Sequence, residues 1–234
     1  MRYWRALEEG RVPADRPLLP ALTADNMMVG GGPDHGRHRA AWDAAPKPFQ
    51  DPRHPQYRRL RTMIRSTADE LITLLAGEGG PGTVDLAAEF IRPLTVMVAG
   101  ELLGASGWQS EQVLTDIWEV LDAGADASEA GRRVRTIMEG LVDEKRVRPG
   151  EDFPSYMLAA RPDLTSSELA YELSMPAGMI AEHGGLLVAN AVVEIIAGDG
   201  QARSSMSGGM IREAVNYAAL RKPCPGAPRR DSYR

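Results

Sequence analysis

The sequence predicts an all-α, mainly helical protein, and three observations support this. Apolar residues recur at intervals of three and four along several segments, which places them on one face of a helix. The run PQYRRLRTMIRSTADELITLLAGEGG shows this most clearly, with Leu60, Ile64, Leu71, Leu74 and Leu75 in one stripe. No segment of useful length alternates apolar and polar residues as a strand would. No internal repeat of roughly 20–50 residues suggests a solenoid or propeller.

Proline and glycine divide the chain into successive helices. The first half contains a short helix near residues 3–9, a loop, a short basic helix ending before Pro46, the long helix above and one or two helices with a break at Pro93. The second half contains a helix capped by Ser110, an amphipathic helix closed by RPGED, a short helix capped by Thr165 or Ser166, a long central helix and a last helix ending in a proline-rich tail.

The composition excludes several classes of protein. A net charge of -5 over 234 residues gives no reason to expect nucleic-acid binding. The single cysteine, Cys224, rules out a disulfide within the chain and fits a cytoplasmic location. No segment is apolar for long enough to predict a membrane span. The four histidines show no zinc-type spacing.

The most apolar segment, MPAGMIAEHGGLLVANAVVEIIAG, contains two unfavourable features at one point. Glu182 and His183 are ionisable, and burying a charge is costly without a partner. Gly184 and Gly185 each cost about 1 kcal/mol in a helix relative to alanine. Such a combination needs a functional or packing reason.

Five segments, in order, resemble the bacterial soluble cytochrome P450 family of haem-thiolate monooxygenases. They are NMMVGGGPDHGRHRAAW, VDLAAEFIRPLTVMVAGELLG, EKRVRPGEDFPSYMLAA, LTSSELAYELSMPAGMIAEH and MIREAVNYAALRKPCPGAPRR. The resemblance implies a single partial P450-like domain over residues 1–234, running roughly from the family's C helix through its K helix. It implies haem as the cofactor, a small organic or natural-product substrate and a ferredoxin-type redox partner.

The resemblance is incomplete in ways that bear on activity. The family's first helix and strands, and its Phe-x-x-Gly-x-x-x-Cys-x-Gly haem-ligand loop, have no counterpart in these residues. We therefore expect that the chain is not catalytically competent by itself. The alternative is a non-catalytic P450-like helper that binds a partner enzyme. Apolar surface left uncovered predicts self-association or a protein partner.

Glu182 and His183 are the candidate catalytic residues. An ungapped match to the family's I helix places them on the acid and alcohol positions that relay protons to oxygen. A rival register pairs AEHGG with the family's Ala-Gly-His-Glu-Thr pattern and leaves glycines at both relay positions. The simpler alternative is that the two side chains satisfy each other or face a solvated cleft.

His35 and Arg39 are the candidate cofactor-binding residues. Four residues apart, they share one face of a helix. The resemblance implies that they bind a haem propionate, which suits two cationic donors, whereas Arg37 and His38 point elsewhere. The alternative is a solvated basic helix end.

Two further positions depend on the same resemblance. The family's Glu-x-x-Arg pair would fall on Ala218 and Arg221, so Arg221 lacks its expected partner and is predicted to be exposed or paired elsewhere. Cys224 is either an axial haem ligand or an ordinary loop cysteine after the K helix. Its flanking prolines favour the loop cysteine, and we therefore assign no metal ligand.

Overall fold

The computed structural model describes residues 32–77, 83–121, 125–197, 200, 203–204, 207–210, 213 and 215. In chain order the helices are α1 (Gly32–Ala44), α2 (Lys47–Gln50), α3 (Pro55–Ala76), a first π-helical segment (Ala87–Ile91), α4 (Arg92–Leu103), α5 (Gly107–Leu121), α6 (Ala127–Val147), α7 (Phe153–Ala160), α8 (Ser166–Gly178), a second π-helical segment (Met179–Gly184) and α9 (Gly185–Ala197).

The all-α prediction is confirmed, because the described residues contain helices and no strand. None of their helices is long and apolar enough to cross a bilayer. The predicted helix near residues 3–9 lies outside the described residues. So does most of the predicted last helix.

The described residues belong to two compact units, which we treat separately. The first unit comprises residues 1–66 and 96–178, and the second comprises residues 67–95 and 179–234. The prediction of a single domain stays a prediction.

The core of the first unit lies where α5, α6 and α8 pack on one another, with α7 against α1, α6 and α8. Its fully buried apolar side chains include Leu103, Leu114, Met138, Leu141, Met157, Leu164, Leu169 and Leu173. Truncating one such leucine to alanine typically costs about 2–5 kcal/mol. Because α7 contacts both this core and α1, it connects α1 to the core.

The second unit contains a contact between the first π-helical segment and α9. A Cβ on the buried Gly185 would lie 3.3 Å from Cγ2 of Ile91, tighter than most real contacts. Absence of a side chain therefore lets the start of α9 approach Ile91 closely. At the other end of α9, Arg203 donates to the carbonyls of Ile195 and Ile196, which would otherwise lack partners.

The long helix α3 forms as predicted, but its apolar stripe is narrower than expected. Leu60, Ile64, Leu71 and Leu75 are half-buried. Leu74, which the periodicity placed on the same stripe, is 74% exposed.

The N-termini of α5 and α8 are capped by hydrogen bonds, but the predicted cap of α5 was wrong. Ser110 is not an N-cap: it is buried inside α5, and its hydroxyl donates to the carbonyl of Ser106 at 3.1 Å. The cap role belongs to Ser106, whose backbone N–H donates to Oε1 of Gln109 at 2.9 Å. At α8, Thr165 is the capping residue, since its hydroxyl accepts from the N–H of Glu168 at 3.2 Å and its own N–H donates to Oε2 of Glu168 at 2.7 Å.

Two prolines lie close to changes of helical pitch, and only the first of them, Pro93, was predicted to mark a break. Pro93 is the second residue of α4 and directly follows the first π-helical segment, so the chain stays helical through it. Pro176 lies inside α8, where it cannot donate to the carbonyl of Glu172. Three residues later the second π-helical segment begins. Short π-helical segments recur at functional sites.

Candidate functional site

His35 lies on α1, in the first unit, with its ring partly buried. Its Nδ1 is buried and has no hydrogen-bond partner among the described residues. A buried ring nitrogen without a partner is unfavourable by about 1–3 kcal/mol. The position therefore suits a ligand atom that bonds this nitrogen.

Arg39 lies one turn further along α1 and is exposed. Its Nε donates to Oδ1 of Asp43 at 2.9 Å, and both side chains are more than half exposed. Such a surface pair contributes about 0.3–0.5 kcal/mol. The guanidinium can therefore exchange Asp43 for another carboxylate at little cost.

The residues that form the buried contact between α1 and α8 were not predicted from the sequence. His38 is buried, and its Nδ1 lies 2.9 Å from Oε1 of Glu172, which is fully buried. Trp42 donates from Nε1 to Oε2 of the same carboxylate at 2.5 Å. His38 is therefore part of the buried contact between α1 and α8, whereas the exposed Arg39 fits the alternative of a solvated helix end. The spacing of His38 and Trp42, one helical turn apart, was the only signal available in the sequence.

Arg37 also connects α1 to α8 and to the residues just before it, through hydrogen bonds to two carboxylates. It donates to Oδ2 of Asp163 at 3.3 Å and to Oε1 of Glu168 at 3.2 Å. The pKa of Glu168 is lowered by the backbone N–H and then the hydroxyl of Thr165, and further by Arg37 and His38. The pKa of Asp163 is also lowered, chiefly by hydrogen bonds from Arg161.

Glu182 and His183 fall within the second π-helical segment, in the second unit. The His183 side chain is exposed, as the solvated-cleft alternative requires. The Glu182 side chain lies outside what the structure describes. Because the two candidate pairs belong to different units, each is considered by itself.

The RPGED segment before α7 has a structural role through its last residue, Asp152. Asp152 caps α7 by accepting from the N–H of Ser155 at 3.0 Å. Its other oxygen lies 2.8 Å from Nζ of Lys145, and that ammonium donates to the carbonyl of Gly104 at 2.9 Å. A Cβ on Gly104 would overlap Oδ2 of Asp152, so only glycine fits here. Ala218, Arg221 and Cys224 lie outside the described residues.

Known proteins share this helical arrangement. Cyclomarin C epoxidase CymV from Salinispora arenicola is 30% identical over 236 residues, covering 92% of this chain and 55% of that protein. Cytochrome P450 107B1 from Saccharopolyspora erythraea is 26% identical over 219 residues, covering 87% of this chain and 51% of that protein. The solved structure of CYP154C4 from Streptomyces sp. ATCC 11861 matches with a TM-score of 0.73 and 26% identity, covering 95% of this chain and 55% of that one.

The chain belongs to the cytochrome P450 family. Its fold is a partial, all-α P450 fold, and it spans about half the length of the curated relatives it matches. No protein-family model matches it. Family membership implies haem, and the α1 residues fit one part of that group. A haem carboxylate supplies only acceptors, and His35 offers a buried nitrogen that has no partner among the described residues, beside the exchangeable Arg39.

Proposed function

We propose that this chain supplies the haem-carboxylate contacts of a haem-dependent monooxygenase that acts on a small natural product. The observation that carries the proposal is the buried Nδ1 of His35, which has no partner among the described residues. When bound, haem supplies the iron that activates dioxygen. The residues of this chain hold the cofactor and move protons around it.

His35 and Arg39 act as the carboxylate clamp. Because a carboxylate only accepts hydrogen bonds, its binding selects the form of His35 that carries a proton on Nδ1. Arg39 then adds a second, charge-assisted hydrogen bond after it leaves Asp43. Hydrogen bonds of this kind contribute about 1.5–3 kcal/mol each when sheltered from water.

Glu182 and His183 act as the proton-handling pair. The imidazole of His183 is exposed and is therefore in contact with solvent. Glu182 precedes it in the π-helical segment. In this proposal the pair transfers protons to and from solvent.

The names of the relatives support the substrate class. One is the cyclomarin C epoxidase above. Another is 2-hydroxy-5-methyl-1-naphthoate 7-hydroxylase of Streptomyces carzinostaticus, which is 27% identical over 187 residues, covering 77% of this chain and 44% of that protein. Both names describe oxygen insertion into an organic natural product. We extend that class, and a ferredoxin-type electron donor, to this chain as part of the proposal.

The test compares two haem compounds that differ only in their carboxylates. The full chain is titrated with hemin and with hemin dimethyl ester, and Soret absorbance gives a Kd for each. We expect at least about tenfold preference for hemin, equivalent to about 1.4 kcal/mol. His35→Ala should remove most of that preference. His54→Ala serves as a control, because the Nδ1 of His54 already accepts from the N–H of Gln56 at 3.2 Å. Equal affinity for both compounds, or no binding, would refute the proposal.

Catalytic competence needs a separate measurement. The expectation that the chain is not competent by itself predicts that its reduced haem complex under carbon monoxide lacks the thiolate-type Soret band. Appearance of that band, and its loss in Cys224→Ala, would contradict the expectation and identify Cys224 as an axial ligand.

A second candidate is the non-catalytic helper. Exposed apolar side chains on α9 favour it, since Val193 is 45% exposed and Ile196 is 68% exposed. A chain that binds neither haem compound but co-purifies with a P450 would support this candidate over the first.

A further inference from the structure

A buried polar cluster, which we define as His38, Trp42 and Glu172, joins α1 to α8. Glu172 is fully buried and His38 is 4% exposed. The two oxygens of Glu172 contact different side chains of α1: Oε1 lies 2.9 Å from Nδ1 of His38, and Oε2 accepts from Nε1 of Trp42 at 2.5 Å. One carboxylate on α8 therefore contacts two consecutive turns of α1.

This arrangement defines the rotation of α1 about its own axis. The described side chains that α1 buries are those of His38 and Ala41. α1 also packs against α7, and Ala41 contributes only a methyl group to the buried face of α1. The polar cluster does not tolerate rotation, because a shift of one residue would turn α1 by about 100° and move both His38 and Trp42 away from Glu172.

The clamp residues lie on the neighbouring face of the same helix. His35 precedes His38 by three residues, which places it about 60° around the helix axis and one turn away. Arg39 follows His38 directly. Whatever fixes the rotation of α1 also fixes the direction of the His35 side chain.

We infer that Glu172 is a positioning residue for carboxylate recognition by His35 and Arg39. This inference rests on the proposed function, whose clamp it deepens. Glu172 touches neither cofactor nor substrate in this role. It acts through His38 and Trp42, which hold α1 in the orientation that presents Nδ1 of His35.

A double variant separates positioning from stability. Removing one partner of a buried charged pair leaves the other uncompensated, whereas replacing both by apolar residues is often neutral or stabilising. His38→Leu with Glu172→Leu replaces both side chains of this contact by apolar ones, and Trp42 then loses its acceptor. The matched control is Asp116→Leu with Arg133→Leu, which removes a charged contact between α5 and α6 whose Nη2–Oδ1 distance is 2.6 Å.

The readout is the preference for hemin over hemin dimethyl ester, with thermal melting monitored by far-UV circular dichroism in parallel. We expect the His38/Glu172 double variant to lose at least about fivefold of that preference while it still melts cooperatively. The Asp116/Arg133 double variant should keep the wild-type preference. Trp42→Phe, which removes one donor and keeps an aromatic ring, should lower the preference by about twofold to threefold.

Distinct results overturn the inference and the proposed function. If the wild type prefers hemin and both the His38/Glu172 double variant and Trp42→Phe keep that preference, Glu172 is only structural and the inference fails. If the double variant does not fold, Trp42→Phe decides, and an unchanged preference overturns the inference. If the wild type shows no preference, the proposed function itself fails.

Discussion

Replacement of Gly104 by alanine is expected to destabilise the first unit by about 4 kcal/mol or more. Gly104 has φ +60°, a conformation that costs an L-residue such as alanine about 1 kcal/mol or more. The added Cβ would overlap Oδ2 of Asp152 and lie 2.7 Å from Nζ of Lys145. Those two buried groups form an ion pair of 2.8 Å, and separating such a pair costs about 3–5 kcal/mol.

The assay is urea unfolding of the full chain, monitored by far-UV circular dichroism and extrapolated to water. Gly140→Ala on α6 is the control, because a Cβ added to Gly140 would meet no atom within 4 Å outside its own helix backbone. Alanine there should stabilise the helix by up to about 1 kcal/mol. A loss of less than about 1 kcal/mol in Gly104→Ala would refute the reasoning, since the ion pair would then have moved without cost.

Three other predictions concern different parts of the molecule. The pKa of Glu168 is lowered in the native state, so its carboxylate stabilises the fold at pH values above its unfolded pKa, and the stability should fall as the pH drops below about 4.5. In thermal melts recorded across that pH range, Glu168→Gln should make the loss of stability less steep. An unchanged dependence on pH would contradict this prediction. Gly184→Ala should be tolerated, because the added Cβ would lie 3.7 Å from its nearest neighbour, the carbonyl oxygen of Met179. Gly185→Val should lower the free energy of unfolding by about 1–3 kcal/mol in the same urea assay, because a Cβ there already lies 3.3 Å from Cγ2 of Ile91. Equal effects of the two variants would contradict the packing described for α9. Because Val193 and Ile196 are exposed, the chain should bind the dye ANS at neutral pH, and Val193→Ser with Ile196→Ser should lower the ANS fluorescence. A monodisperse monomer that binds no dye and melts sharply would contradict this prediction and show that the apolar surface is covered.

The order and type of the described helices could be predicted from the sequence because these properties are local. A repeated three- and four-residue spacing makes one face of a helix apolar regardless of what covers it, and α3 and α6 formed where that spacing occurs. Capping was also local in part, since Thr165 was one of the two candidates. Ser110 failed as a cap because the helix starts earlier, at Gly107, where Ser106 and Gln109 supply the capping hydrogen bonds.

The candidate clamp illustrates the boundary between sequence and structure. The four-residue spacing of His35 and Arg39 predicted a shared face of α1, and the family resemblance supplied its expected ligand. The spacing did not show that Nδ1 of His35 is buried with no partner among the described residues, or that Arg39 already pairs with Asp43. Those facts depend on which surfaces surround α1.

By itself the sequence determined the helical class, the approximate helix boundaries, the family and the positions where chemistry was expected. Only the tertiary structure decided that the carboxylate of Glu172 meets His38 and Trp42, and that the carboxylate of Asp152 meets Lys145 beneath Gly104. The physical reason is that helix formation is governed by residues within one or two turns, whereas a buried polar group is stabilised by a partner that lies far away in the chain. The distance of 130 residues between Trp42 and Glu172 leaves no local pattern in the sequence.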